Sequence, residues 1–171
     1  MNADFLWIRR MKQGDEEAFD LFVRKYYEEI LRYCNYHCSD QKYAEDLTQE
    51  TFVRFFSKLS AYHDRGKTKN YLYTIAGNLC RDFYKKKREV PLEELGSDGK
   101  PEPDGSQSEE ILNKLTVEWA LGQLPDELRE VVILYYFQDL KIREIADTLQ
   151  IGLPLVKYRL KQAKEQMGRL L

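Results

Sequence analysis

The segment Val90 to Ser106 divides the chain. It holds three of the five prolines and three of the nine glycines of a 171-residue sequence, and it has no apolar periodicity. A segment of that composition buries too little apolar surface to offset the entropy lost on ordering it. One continuous core through the middle of the chain is therefore excluded. Residues 1–89 and 111–171 must each build a lobe of their own, joined by a flexible acidic linker over 90–110. Counted from 89 to 110, a tether of roughly 22 residues reaches at most about 75 Å when fully extended.

Both lobes read as helices, so the fold class is all-α, two small helical domains. In the first, a short helix over 4–13 stops at Gly14, and Asp15 is placed to cap the next one. Glu16 and Glu17 follow in the first turn, where the helix dipole favours anions. Phe19, Phe22, Val23, Tyr26, Ile30 and Tyr33 then recur at helical spacing. After a turn at Ser39-Asp40, a helix over 41–59 carries the stripe Ala44, Leu47, Thr51, Phe52, Phe55 and Leu59. Tyr62 to Asn70 reads as a basic loop. A helix over 70–87 follows, with Leu72, Ile75, Ala76, Leu79 and Phe83 inward. In the second lobe Ser108 opens a helix to about Leu121, and Pro125 stands at the first position of a helix over 125–137. A short helix at 141–149, a turn at Gln150-Ile151-Gly152 and a long helix over 153–170 spell helix-turn-helix.

The formal net charge of −2 conceals a partition. Residues 1–90 carry 17 Lys and Arg against 14 Asp and Glu, residues 91–112 carry 1 against 7, and residues 113–171 carry 9 against 8. An acidic segment masks two mildly basic lobes, so clusters say more than the whole-chain charge. No stretch approaches 18 uninterrupted apolar residues, and the N-terminus lacks the apolar run of a signal peptide. Direct membrane insertion is thus not expected. The cysteine number is odd, 3, which fits a reducing, cytoplasmic setting better than a disulfide framework.

The phase of the last helix separates two faces. Val156, Leu160, Ala163 and Met167 fall together and face inward. Pro154, Tyr158, Lys161 and Glu165 point away, flanked by Leu155 and Gln162 on one side and Lys157 on the other. Lys157, Arg159, Lys161 and Lys164 make its N-terminal half basic, which suits a DNA major groove: phosphates meet cations and base edges meet Lys, Gln or Tyr. A solvated charged face is the competing reading. In the first lobe Arg81, Lys85, Lys86, Lys87 and Arg88 form a basic helix end, interleaved with Tyr71, Tyr73, Phe83 and Tyr84. Cations that track a backbone beside rings that stack on bases are the means of holding unpaired nucleotides. Cations complementing a helix C-terminus give the same pattern.

Several motifs in order carry a family resemblance. Tyr43-Ala44-Glu45-Asp46-Leu47-Thr48-Gln49-Glu50-Thr51-Phe52-Val53 resembles the signature of region 2 of bacterial sigma factors, and Asn70 to Leu79 resembles the segment after it. Leu124 to Val131 is similar to the opening of region 4. Ile142-Arg143-Glu144-Ile145-Ala146 and Val156-Lys157-Tyr158-Arg159-Leu160 are similar to its helix-turn-helix. Order and size resemble the two-domain extracytoplasmic function (ECF) sigma factors, over nearly the whole chain apart from the linker.

The resemblance implies a specificity factor for core RNA polymerase, not an enzyme. Asp46, Gln49, Glu50 and Val53, at helical spacing on one face, would dock on the β′ clamp helices, with the β subunit also contacted. Tyr62, His63, Lys67, Lys69, Tyr71, Asn78, Arg81, Lys85, Lys86, Lys87 and Arg88 would recognise and help melt the −10 promoter element. The loop from Tyr62 to Lys69 would hold a base flipped from the stack, since each unstacked base costs a few kcal/mol that capture offsets. Leu155, Lys157, Tyr158, Arg159, Lys161 and Gln162 would read the −35 duplex. The acidic linker would thread the polymerase's RNA path. Partners would be the polymerase, promoter DNA and an anti-sigma factor, with no cofactor, no metal and no small-molecule substrate.

Departures from the family pattern are specific. Lys141 stands where serine or threonine commonly caps the helix. Gly152-Leu153-Pro154-Leu155-Val156 replaces the usual serine-x-glycine-threonine-valine opening, and Tyr158 replaces a serine; these argue against a standard −35 preference. Thr68 stands where an aromatic is common, and Tyr71 where tryptophan is common. Cys34, His37 and Cys38 share a helix face but lack a fourth ligand for zinc, so they read as buried thiols and a core histidine. Glu45, Asp46 and Glu50 have no His base or nucleophile beside them that would make a nuclease. A stand-alone helix-turn-helix regulator is the alternative, and it would have no use for the Asp46-Gln49-Glu50 face. An interaction protein built around the tether and the apolar faces is a third.

Overall fold

Gly14 turns the chain between its first two helices with a φ of 84°, a backbone conformation in which glycine is unpenalised. The computed structural model describes residues 3–38, 40–88 and 108–171. Helix α1 spans Ala3–Lys12, α2 Glu16–His37, α3 Gln41–Ser57 and α4 Thr68–Arg88, with a 3-10 turn at Leu59–Ala61. Asp15 caps α2 as expected: its carboxylate accepts from the backbone N–H groups of Glu17 at 3.0 Å and Ala18 at 3.4 Å. Arg10 donates to the same carboxylate at 2.8 Å. Asp40 caps α3 in the same way, accepting from Lys42 N–H at 2.9 Å.

The chain divides into two compact units, Met1–Cys80 with Asp147–Leu149, and Arg81–Ala146 with Gln150–Leu171. In the first, α2 packs on α1 and α3. Its core is aromatic: Phe22 lies 4.9 Å from Phe55 in a stacked pair, and Tyr33 meets Tyr73 edge-on at 5.2 Å. Phe22, Ile30, Tyr33, Phe55 and Leu72 are fully buried, so the predicted stripes face inward. A charge is buried here too. Asp4 accepts hydrogen bonds from the Tyr26 hydroxyl and from Lys25 Nζ, the latter at 2.9 Å. Burial and the adjacent carboxylate push the Tyr26 phenol well above its ordinary range. Cys34, His37 and Cys38 are buried, with the His37 ring 4.6 Å from Tyr33.

Further along the chain α5 spans Glu109–Gln123, α6 Asp126–Val132, α7 Ile142–Leu149 and α8 Leu153–Leu170. Pro125 takes the N-cap of α6, one position earlier than the sequence predicts, and its carbonyl accepts from Leu128 and Arg129, each at 3.0 Å. The helix expected to run to 137 changes register. Ile133–Phe137 is a π turn, and Gln138 N–H returns to the Ile133 carbonyl at 3.0 Å. α8 packs on α6 and α5 through Val156 and Ala163, both with no exposure. The bulk of the expected linker, residues 89–107, lies outside the described residues. Its last two positions, Glu109 and Glu110, open α5. Among the described residues there is no strand, and no helix is long and apolar enough to cross a membrane.

Candidate nucleic-acid and protein interfaces

Three surfaces gather the residues singled out by sequence. The first is the outer face of α3. Ala44, Thr48, Thr51, Phe52 and Phe55 are buried on its inner side, which turns Asp46, Gln49, Glu50 and Val53 outward, and all four are exposed. Val53 keeps 59% of its surface in water and Tyr43, a turn before Asp46, keeps 51%. Glu50 is bridged to Arg54 at 3.1 Å. Two carboxylates and an amide thus sit between an exposed valine and an exposed tyrosine. Tyr43 belongs to the motif quoted above, but a ring is usually assigned to a core, so its place on this face was not legible beforehand.

The second surface is the loop into α4. Asp64 accepts from Gly66 N–H at 2.8 Å, Gly66 has a φ of 78°, and Thr68 Oγ1 is 3.2 Å from the same carboxylate. Thr68 also hydrogen-bonds the Tyr62 hydroxyl at 2.9 Å, which explains a threonine at this position. α4 begins at Thr68 rather than at Asn70. Lys12 Nζ donates to the Tyr62 carbonyl. Tyr62 and Tyr71 stack at 5.1 Å with their planes 17° apart, and Phe55 supports both from the core. Burial raises the Tyr62 phenol above its ordinary range, so it stays neutral. Beside the pair lies an open hollow of about 510 Å³ lined by Lys58, Tyr62, His63, Arg65 and Tyr71, among others. An aromatic wall with cations at its rim is suited to a base taken out of its stack. Lys58 and Arg65 join the predicted set here, because the chain's turn at 57–66 brings them to the rim. Along α4, Asn78, Lys85 and Lys86 are exposed, and Lys69 and Arg81 are half-buried. Lys67 is exposed. The side chains of Lys87 and Arg88 lie outside the described residues.

The third surface is the outer side of α8. Gly152 stands at its N-cap and Pro154 in its first turn, where the missing N–H has no helical partner to lose. The preceding turn is left-handed at Gln150, φ 58°, and both Gln150 and Ile151 N–H groups go to the Ala146 carbonyl. Lys141 supplies no side-chain cap to α7, as expected. Glu144 compensates by accepting the Lys141 N–H at 3.1 Å. Leu155, Lys157, Tyr158, Lys161 and Lys164 are exposed and Gln162 is half-buried. Arg159 is placed differently from its neighbours: its side chain is 18% exposed and lies 3.8 Å from Glu127 of α6.

Comparison with known proteins identifies the family. Residues 22–90 match the family model of sigma-70 region 2, and residues 114–167 match that of sigma-70 region 4. The chain is 30% identical to the ECF RNA polymerase sigma factor SigW of Bacillus subtilis (strain 168), over 96% of this chain and 94% of that one. It is 30% identical to the RNA polymerase sigma factor YlaC of the same organism, over 93% and 94% of the two chains. Among solved structures it resembles CnrH, in a complex with the cytosolic domain of CnrY, with a TM-score of 0.77 at 21% identity over 99% of this chain and 97% of that one. It also resembles the sigma factor RpoE of Bartonella quintana, in a complex with the anti-sigma factor NepR, with a TM-score of 0.65 at 22% identity over 89% and 95%. Two region models in the expected order, near-complete coverage of curated sigma factors and a shared all-helical fold have one reading: the chain belongs to the ECF RNA polymerase sigma factors.

Proposed function

We propose a division of labour among the three surfaces for this sigma factor, which directs core RNA polymerase to promoters. The α3 face docks on the β′ clamp helices. Asp46 and Glu50 meet the basic groups of that helical partner, and Val53 and Tyr43 exclude water around them. Charged groups at such a contact set encounter and register, while the apolar residues between them supply burial. The observation that carries this reading is the joint exposure of Asp46, Gln49, Glu50 and Val53 on a helix whose other side is fully engaged in the core.

The Tyr62–Tyr71 hollow and the cations along α4 take the −10 strand once it is unpaired, with His63, Lys67, Lys69, Asn78, Arg81, Lys85, Lys86, Lys87 and Arg88 along its path. α8 enters the major groove of the −35 element. Lys157 and Lys161 contact phosphate, and Leu155, Tyr158 and Gln162 face base edges. Arg159 acts by orienting α8 on α6 through Glu127. The polypeptide itself performs no covalent chemistry and works in the cytoplasm, bound to polymerase.

Transcription with purified core polymerase and this chain as sole specificity factor tests the reading. Discrete promoter-specific starts are expected. The double reversal Asp46→Lys and Glu50→Lys should reduce them at least tenfold while leaving thermal unfolding unchanged, because both residues are exposed. DNA binding with no core-dependent starts would instead establish a stand-alone regulator.

An anti-sigma protein is the expected antagonist. Support comes from the RpoE fold neighbour, which was solved with its anti-sigma factor. Such a protein would cover the α3 face or α8. Hydrogen exchange of the inhibited complex should show new protection at residues 43–53 or 153–162, and protection at neither would remove this proposal.

A further inference from the structure

The outer surface of α8 has a chemistry that narrows what it can read, and the argument rests on α8 being the −35 recognition helix. Val156 and Ala163 are wholly buried and fix the rotation of the helix. Leu155 and Tyr158, one turn apart, therefore face out, and they keep 39% and 60% of their surface in water. Lys157, Lys161 and Lys164 are exposed beside them. A row of ammonium groups along one flank commits the occupant to a polyanion.

What this surface lacks is equally specific. The commonest direct contact to a base in the major groove is a two-pronged arginine on guanine. Arg159 is the only arginine in the N-terminal half of α8, and its guanidinium is drawn back against Glu127 at 3.8 Å. The groups left facing a groove are a leucine side chain, a phenol ring and the half-buried Gln162 amide, with ammonium groups to the side. A leucine pressed on a donor or acceptor edge would strip water from it and return no hydrogen bond. Only one base edge in the major groove is apolar, the C5-methyl of thymine.

We infer that Leu155 and Tyr158 are specificity-determining residues that read thymine methyl groups in the −35 element, while Lys157 and Lys161 hold the flanking phosphates without reading sequence. The methyl packs against the Leu155 side chain and the edge of the Tyr158 ring. Burial of one methyl is worth about a fourfold change in affinity.

The test uses holoenzyme assembled from core polymerase and the full chain, on a promoter obtained from the transcription experiment. Each thymidine of the −35 element is replaced in turn by deoxyuridine, which removes the methyl and keeps the base pair. Binding should weaken about fourfold at one or two positions and be unchanged at the rest. Leu155→Ala holoenzyme should no longer distinguish thymidine from deoxyuridine at one of those positions. Lys157→Ala and Lys161→Ala should weaken both duplexes equally. A −35 element without thymine, or full affinity for every deoxyuridine duplex while the lysine variants still weaken binding, overturns the inference and leaves the recognition-helix reading standing. Promoter binding indifferent to the whole −35 sequence and to all four residues would overturn that underlying reading as well.

Discussion

Arg129 shows how one side chain holds the second unit together. It is buried, and its guanidinium donates to the carbonyls of Leu121 at 2.8 Å, Leu124 at 2.8 Å and Gly122 at 3.3 Å, and to the Asp126 carboxylate at 2.9 Å. The last carbonyls of a helix have no intrahelical donor. Here the fork of one arginine closes the end of α5 and the turn into α6 together. A cation at a helix C-terminus also meets the negative end of its dipole. Arg129→Met leaves three carbonyls and a carboxylate without this donor and should destabilise the second unit by about 2–4 kcal/mol. Arg129→Lys should lose roughly half as much, because a compact ammonium reaches fewer of those acceptors than the planar fork. Each unit carries one tryptophan, Trp7 and Trp119. Urea unfolding followed by Trp119 in a Trp7→Phe background therefore reports the second unit. A Met variant that unfolds at the wild-type midpoint would sink this account.

At the scale of elements, what the sequence foretold and what it did not divide along a physical line. Helix stripes, the Asp15 cap, the break between α2 and α3 and the outward phase of Leu155, Tyr158 and Lys161 were legible, because each depends on residues within a turn or two. The π turn at Ile133–Phe137 was not, since five residues cannot distinguish one helical period from another. Long-range partners were not legible either. Nothing in the sequence marks Asp4 for burial, yet it accepts hydrogen bonds from Tyr26 and Lys25, and the pairing of Arg159 with Glu127 at 3.8 Å has no local signal. Tyr62 and Tyr71 were both named, yet only the fold stacks their rings. The turn between α7 and α8 carries a prediction at this scale. Gln150 sits at φ 58° and ψ 45°, where a Cβ costs energy that glycine avoids. Gln150→Gly should raise stability by up to about 1 kcal/mol, and Gln150→Val, branched at Cβ, should lower it by about 1–2 kcal/mol. Equal midpoints for the two variants in thermal unfolding would show that the turn is not strained at this residue.

For the molecule as a whole, charge is organised against its own average. The lobes carry excess positive charge and residues 91–112 carry 7 acidic groups against 1 basic one, within a chain of net charge −2. Anions tethered to the same chain would be held at high effective concentration near its cations, and would then compete with DNA phosphates for them. Charge steers association over about a Debye length, about 10 Å at 0.1 M salt. Neutralising Glu93, Glu94, Asp98, Glu102 and Asp104 to their amides moves the net charge from −2 to +3. The free variant should then bind a promoter-less duplex more tightly than the wild type, with the gap widest at low salt. Its log affinity should also fall more steeply with log salt, because each additional phosphate neutralised adds about 0.9 to that slope. Titrations of both proteins between about 50 and 200 mM salt measure both quantities. Parallel lines with a common affinity would mean that the acidic segment never competes for the lobes' cations, and that it acts only where the polymerase receives it.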